Sequence, residues 1–546
     1  MSTNLEAEVT RNRSWFARRR VWYVLLVLFV LFLLFLYFCL LPSRLIISPE
    51  TTLITKLDNN GKLDYEGTFK REHNRQLTLI NPDDNGSRMV MAKFGPRVIE
   101  RSYWLKSCTW EDLPKDRTYM GEWYRTRWIP FCNAMSIDPT KKPVEYRPIW
   151  LKLSEAEGAK NKKYPYQSEL SRKPWRAEDY PEVAKFVAEA EDALAVYSAA
   201  AQKPQWVCYW EASGGTAYAF LSDDTYTSWA CQDFVIRAHE RISRNDVAGA
   251  FDDAVSILRI ARHVQNSSTL MERSFGINNE MSGIDVIQSI LTYCNPSTEQ
   301  IRQFMSELEK IPKPVNISDK ILLWEEMRLL DVLFNSNNDN FSLSFASYPL
   351  YLKSLFVLLT TLPVDYNIAS KRIQANFKRF EELSKENDIK KRTQFYYKFD
   401  ADIKHLETII YSPAELLIRE TLIAHRSTLL ADCMFYFHFA DQFRFDLFDE
   451  ARMDMQRDLL RVSFALELYQ RENGHYPDKL ELIAPKYIDV IPEDPFTSKE
   501  LTYKKIDNGY ILYSFGQNKI DDGGDNSKSY DPKDIVVERK RYLNEQ

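Results

Sequence analysis

The residues able to do acid–base or metal chemistry are thinly spread along this chain. Seven histidines, His73, His239, His263, His405, His425, His438 and His475, occur in 546 residues. None stands three or four positions from another, so none has the one-face helical spacing of a paired site. His239-Glu240 would open a zinc-binding H-E-x-x-H motif, but Ser243 occupies the second histidine position. Asp252-Asp253 and Glu325-Glu326 fall on predicted helices, where a solvated face explains them. Glu240 and Glu280 can project into a helical groove, yet nothing in the spacing pairs them for general acid–base work. Asp58-Asn59-Asn60-Gly61 has the look of an EF-hand centre. Its flanks fail, because Lys56 and Gly67 fall where the first and twelfth loop ligands belong, and the stretch reads as a turn. The densest concentration of oxygen donors lies near the C-terminus, in Ser514-Phe515-Gly516-x-Asn518-x-x-Asp521-Asp522-Gly523-Gly524-Asp525. A glycine-bearing loop with several carboxylates can wrap a hard cation, using backbone carbonyls as well as side chains.

Glycine is otherwise scarce: 16 residues in 546, and none between Gly283 and Gly474. No Walker A loop, G-x-G-x-x-G turn or G-x-S-x-G elbow occurs, which argues against a nucleotide-binding α/β enzyme or an ordinary serine hydrolase. Long helices are expected instead. The formal net charge is −5 and the pI is near 6.0, so no general pull toward nucleic acid or acidic membranes follows. Val21 to Leu41 carries no charge and no strongly polar side chain. As a helix at about 1.5 Å per residue it matches the hydrocarbon thickness of a bilayer. Arg11, Arg13, Arg18, Arg19 and Arg20 precede it and Arg44 follows, which puts the N-terminus in the cytoplasm and the bulk outside. The run is too long for a signal-peptide core and is expected to stay as an uncleaved anchor. Of the cysteines, Cys108 and Cys132 are candidates for a disulfide in an oxidising compartment; buried thiols are expected for most of the others.

Nine of the twelve tryptophans lie between Trp104 and Trp229, in a region otherwise irregular to about residue 175. They either stack on a ligand or fill the core of a loop-rich cap. Helical spacing then takes over. Asp179 to Gln202 and residues 223 to 244 read as helices, and Asn245 is expected to cap a helix carrying Val247, Ala250, Phe251, Ala254, Ile257, Leu258 and Ala261. Ser297 and Gln300 form a capping box ahead of a helix that Pro312 and Pro314 end. A further helix runs from Ser318 to Phe334. The apolar stretch Phe345 to Leu362 is interrupted by Pro349 and Lys353 and is too short to span a bilayer. Residues 366 to 410 are charged and helical, Pro413 opens another helix, and a long one leads from about Asp441 to Asn473. This cadence is similar in shape to a tetratricopeptide-like α-solenoid.

The end of the chain has an ordered set of motifs. A helix with Ala465-Leu466-x-x-Tyr469 runs into Asn473-Gly474-x-Tyr476-Pro477, followed by Asp494-Pro495-Phe496, two strand-like runs (Leu501 to Lys505 and Tyr510 to Phe515), the glycine-bearing acidic loop and Asp534-Ile535-Val536. Residues 455 to 537 thereby resemble the globular domain of the G-type major pseudopilin of type II secretion. That resemblance implies a calcium site with Phe515 (through its carbonyl), Asn518, Asp522, Asp525 and Asp534 as ligands. Asn518 stands where that family carries Asp, and Asp494-Pro495-Phe496-Thr497 departs from its D-P-W-G. The prepilin cleavage pattern is missing, so the resemblance implies a borrowed fold rather than a filament subunit. Asp64-Tyr65, the helix from Asn245 to His263 and Val364-Asp365-Tyr366-Asn367 look like membrane-anchored helical proteins of planctomycete-type bacteria, which implies location and architecture.

The expected architecture is mainly α. Residues 1–20 form a cytoplasmic basic tail, 21–41 a transmembrane helix, 42–175 a linker and aromatic-rich region, 176–440 a helical repeat-like domain, and 441–546 a small α+β calcium-binding domain. The expected role is a non-enzymatic, membrane-anchored binding or scaffold protein of the bacterial inner membrane, facing the periplasm, with a protein partner in the cell envelope and no nucleic acid. The alternatives are an envelope hydrolase acting on peptide or glycan, and a type II secretion accessory.

Overall fold

The structure is a computed structural model. It describes residues 24, 26–33, 44–58, 61–95, 128–144, 146–149, 151–153, 167–209, 222–267, 269–313, 319–335, 364–386, 389–410, 423–436, 441–507, 509–524 and 534–540. They are mainly helical, with one small sheet. The chain forms two compact units. One comprises Met1–Leu63, Leu329–Lys378 and Ala401–Ala440; the other comprises Asp64–Arg328, Arg379–Asp400 and Asp441–Gln546. The C-terminal hundred residues therefore share a unit with the helices that begin near residue 181, across the sequence-based boundary at 440/441.

In the larger unit the main helices are α1 (Pro181–Ala201), α2 (Ser222–Ser243), α3 (Val247–Gln265), α4 (Leu270–Tyr293) and α5 (Thr298–Glu309). α1 starts on a proline at its first turn and buries Val183, Val187, Ala190, Leu194 and Tyr197, a three-and-four spacing that makes one apolar stripe. The α2–α3 turn corrects the expected cap. Asn245 sits in the left-handed region at φ 62°, and Asp246 is the residue whose carboxylate accepts from Gly249 N. Both side chains can cap, but only the second follows the αL turn that ends α2. The Ser297–Gln300 capping box of α5 is present, and a second one, Thr269–Glu272, starts α4. The tryptophans Trp128, Trp175 and Trp324 are buried, and Trp206 and Trp229 pack partly buried on the core that contains Trp128 and Trp175. Trp104, Trp110, Trp123, Trp150 and Trp210 lie outside the described residues. Cys132 is a buried free thiol; Cys108, its candidate disulfide partner, lies outside the described residues.

α6 (Asp319–Asn335), α7 (Tyr366–Ser384), α8 (Ile389–Ile410) and α9 (Ile423–Met434) follow, the charged region resolving into two helices. The apolar stretch Phe345 to Leu362 lies outside the described residues. In the smaller unit, the Asn367 side chain accepts from Ile46 N at 2.9 Å and donates to the Arg44 carbonyl at 3.2 Å. Arg372 grips Asp432 through two hydrogen bonds at 2.6 and 3.1 Å. Near the N-terminus, Val24 and Leu26–Leu33 are helical and exposed. The remainder of the predicted span lies outside the described residues. Among the described residues no helix is long and apolar enough to cross a membrane.

α10 (Asp441–Asn473) is one continuous helix of 33 residues, ended by Gly474 at φ 79°. Its last turns carry a three-stranded antiparallel sheet in the order β1 (Thr502–Ile506), β2 (Gly509–Ser514), β3 (Ile535–Lys540). Leu459, Val462, Ala465 and Leu466 of α10 form a core with Tyr510, Leu512, Ile535 and Val537. The strands alternate as the pleat requires: Tyr510 and Leu512 face the helix, with Val537 opposite Leu512.

Candidate functional site

The acidic loop leaves β2 at Phe515 and returns to β3 at Asp534. Three glycines shape it, Gly516, Gly523 and Gly524, all with positive φ. Lys519 also adopts φ 60°, a conformation that non-glycine residues rarely take without support. The loop's root is held by Asp494, which is buried. Its Oδ1 accepts from Phe496 N at 2.8 Å, and its Oδ2 accepts from Phe515 N at 2.9 Å. Asp494-Pro495-Phe496 thus staples the preceding turn to the first loop residue.

The sequence-selected residues are partly brought together. The Asn518 amide donates to Asp522 Oδ2 at 2.9 Å, while its Oδ1 accepts from Ile520 N at 2.9 Å. Asp534, across the loop, accepts from Gly524 N through Oδ2 at 2.8 Å. Asp525 lies outside the described residues. Asp534 is 6% exposed, and its other oxygen, Oδ1, is buried with no hydrogen-bond partner. Burial raises its pKa above the ordinary carboxylate range, against the pull of the Gly524 and Asp522 amides. A buried carboxylate oxygen with nothing to accept from is costly. A bound cation removes that cost, so the donor set fits a hard, oxygen-seeking ion. Asn518, Asp522 and Asp534 would hold it, with the Phe515 carbonyl, and the ion would neutralise the loop and pin its two ends. Among the described residues no cluster of three or more His, Cys, Asp or Glu side chains is arranged as a metal site.

Asp521 is engaged differently. It accepts from Gly523 N and from the Tyr513 hydroxyl, both at 2.9 Å, and these bonds lower its pKa. It is a loop-closing residue. Two residues that sequence reasoning missed bear on the site. One is Asp494, whose Asp-Pro turn was visible but whose reach to Phe515 was not. The other is Tyr397, more than a hundred positions away on α8. Its hydroxyl donates to the Gln517 carbonyl at 2.9 Å, and the Lys519 ammonium lies 3.7 Å from its ring centroid.

Of the carboxylates weighed for catalysis, Glu280, Asp253 and Glu240 are engaged by arginines, and Asp253 and Glu325 are buried rather than on a solvated face. Glu280 is buried and accepts from Arg262 at 2.5 and 2.6 Å, from Arg457 at 2.6 and 3.2 Å and from Gln265 at 2.7 Å. Although burial opposes ionisation, these guanidinium hydrogen bonds bring its pKa down to about 2, so it holds no proton to give near neutrality. Asp253 is clasped by Arg237 and Arg241, and Glu240 pairs with Arg244. His239 donates from Nδ1 to the Val235 carbonyl one turn back, and His263 donates from Nε2 to the Ala201 carbonyl. No protein-family model, curated protein or solved structure matches this chain.

Proposed function

We propose that this protein is a membrane-anchored, extracytoplasmic binding or scaffold protein, non-enzymatic, whose solenoid-like helical body ends in a pseudopilin-like module that binds calcium. One observation carries the calcium reading: the buried, unpartnered Oδ1 of Asp534, a residue that neighbours Asp522 and Gly524. The anchor is supported by Val24 and Leu26–Leu33, each 46–59% exposed, a run of large apolar side chains that water disfavours and a bilayer accepts. The scaffold reading is supported by Glu280 and Asp253, whose arginine clasps hold helices together rather than face a substrate.

The test uses the full-length protein in detergent, titrated with calcium by calorimetry and thermal melting. At an affinity near 10⁻⁴ M, typical of extracellular sites, millimolar calcium adds about 1.4 kcal/mol of stability. Asp534→Asn should abolish that gain without lowering stability in chelator, because it removes a buried, unpaired charge. Absence of both heat and melting shift in the native chain would remove the site. A cross-linked pull-down from membranes then decides between a scaffold with its own partner and an accessory of the secretion machinery.

A further inference from the structure

The loop does not stand alone on its sheet. Asn518 is flanked by two residues that are both held by one side chain of α8. The Gln517 carbonyl accepts from the Tyr397 hydroxyl at 2.9 Å, and the Lys519 ammonium stacks 3.7 Å from the Tyr397 ring centroid. Between these grips, the backbone turns through the left-handed conformation of Lys519. Where the Asn518 carboxamide points, and hence whether it meets Asp522 at 2.9 Å, is set by that turn. The second grip also has an electrostatic effect. An ammonium beside loop carboxylates competes with a metal ion for the same oxygens, and stacking it on an aromatic face commits it elsewhere. α8 is itself fastened within the same unit, since Arg392 donates to Glu450 of α10 at 2.9 Å and lies 3.6 Å from Asp454.

We infer that Tyr397 is a positioning residue for the cation loop, and that calcium in the loop is thereby coupled to helix α8. This rests on the calcium reading above. Tyr397 touches no ligand; it shapes the backbone either side of Asn518 and withholds Lys519 from the carboxylates. The independent sign that the loop awaits a cation is the unpartnered Asp534 oxygen, in a side chain that is 6% exposed.

The experiment is calcium chloride titration of the full-length protein and two variants, with hydrogen exchange of residues 389–400 followed in chelator and in calcium. Tyr397→Phe keeps the ring and removes the hydroxyl; it should weaken calcium binding about fivefold, the effect of one hydrogen bond. Tyr397→Leu removes both grips and should weaken binding further. Adding Lys519→Met to Tyr397→Leu should recover part of that loss, because the freed Lys519 ammonium is then gone and only Lys504, which acts on Asp521 and Asp534 in every variant, remains. Calcium should slow exchange in 389–400 of the native chain and not of Tyr397→Phe. If the native chain binds calcium and Tyr397→Phe binds it equally well, the residue is merely structural and this inference is overturned while the site stands. If the native chain does not bind calcium, both fall.

Discussion

At the scale of single residues, the buried carboxylates of the larger unit show how partners decide protonation. Glu280, with two guanidinium groups, is held at about 2, whereas Asp233 is fully buried and pushed up to about 7. Burial dominates for Asp233; its partners, the Tyr146 hydroxyl at 2.6 Å and Ile149 N at 3.1 Å, only moderate it. The consequences for pH have opposite signs. Glu280 contributes stability that is present above its unfolded value, about 4.3, and is lost only as pH falls toward 2. Asp233 binds its proton more tightly folded than unfolded. Its contribution is full below about 3.9 and is lost as pH rises toward 7. Between pH 5 and 7, then, Asp233 is the changing group of the two. Asp233→Asn should make the melting temperature fall less steeply over that range than in the native chain, and equal slopes would refute the assignment. Little of this was legible in the sequence. Glu280 stood out as a carboxylate on a helix, but Arg457 is 177 positions away, and Asp233 carried no mark of its link to Tyr146.

At the scale of elements, the helices were the legible part, because caps and apolar spacing are local. The Ser297 box, the long helix to Asn473 and its glycine stop appear where the sequence places them. The cap one residue late at Asp246 shows the limit: two adjacent good caps are separated only by the turn that precedes them. What the sequence could not convey is which glycines serve close approach. Gly276 lies in mid-helix on α4, where a Cβ would stand 2.6 Å from Gln265 N and 2.9 Å from the Ala261 carbonyl of α3. At Gly283 the nearest atoms belong to the Leu258 side chain, at 2.9 and 3.0 Å, and can yield. Backbone cannot step aside as a side chain can. Gly276→Ala should therefore destabilise by about 1–3 kcal/mol in urea unfolding, and Gly283→Ala by clearly less. The reverse order would mean that α3 and α4 do not pack as closely as the geometry requires.

At the scale of the larger unit, α10 is shared between the helical body and the sheet, and this is why the C-terminal module does not stand apart. On one side Arg457 meets Glu280, Arg273 pairs with Glu450 at 3.3 Å, and Arg471 donates to the Pro296 carbonyl at 3.0 Å. On the other side Glu467, fully buried, accepts from Arg539 of β3 at 2.9 Å and from the Tyr476 hydroxyl at 2.6 Å. The motifs that made residues 455–537 resemble a self-contained module are those of the sheet side alone. The helical-body side is written in arginines and glutamates that look like an ordinary solvated face until their partners are known. If α10 is a common strut, damage on one side must be felt on the other. Glu280→Ala leaves the buried Arg262 without a carboxylate partner and Arg457 with Asp454 alone, a change that costs about 3–5 kcal/mol. Hydrogen exchange in that variant should quicken in α3 and α4 and equally in β2, to which none of the hydrogen bonds around Glu280 runs. Faster exchange confined to the helices, with Gly509–Ser514 unchanged, would show that the module folds by itself and that the strut transmits nothing.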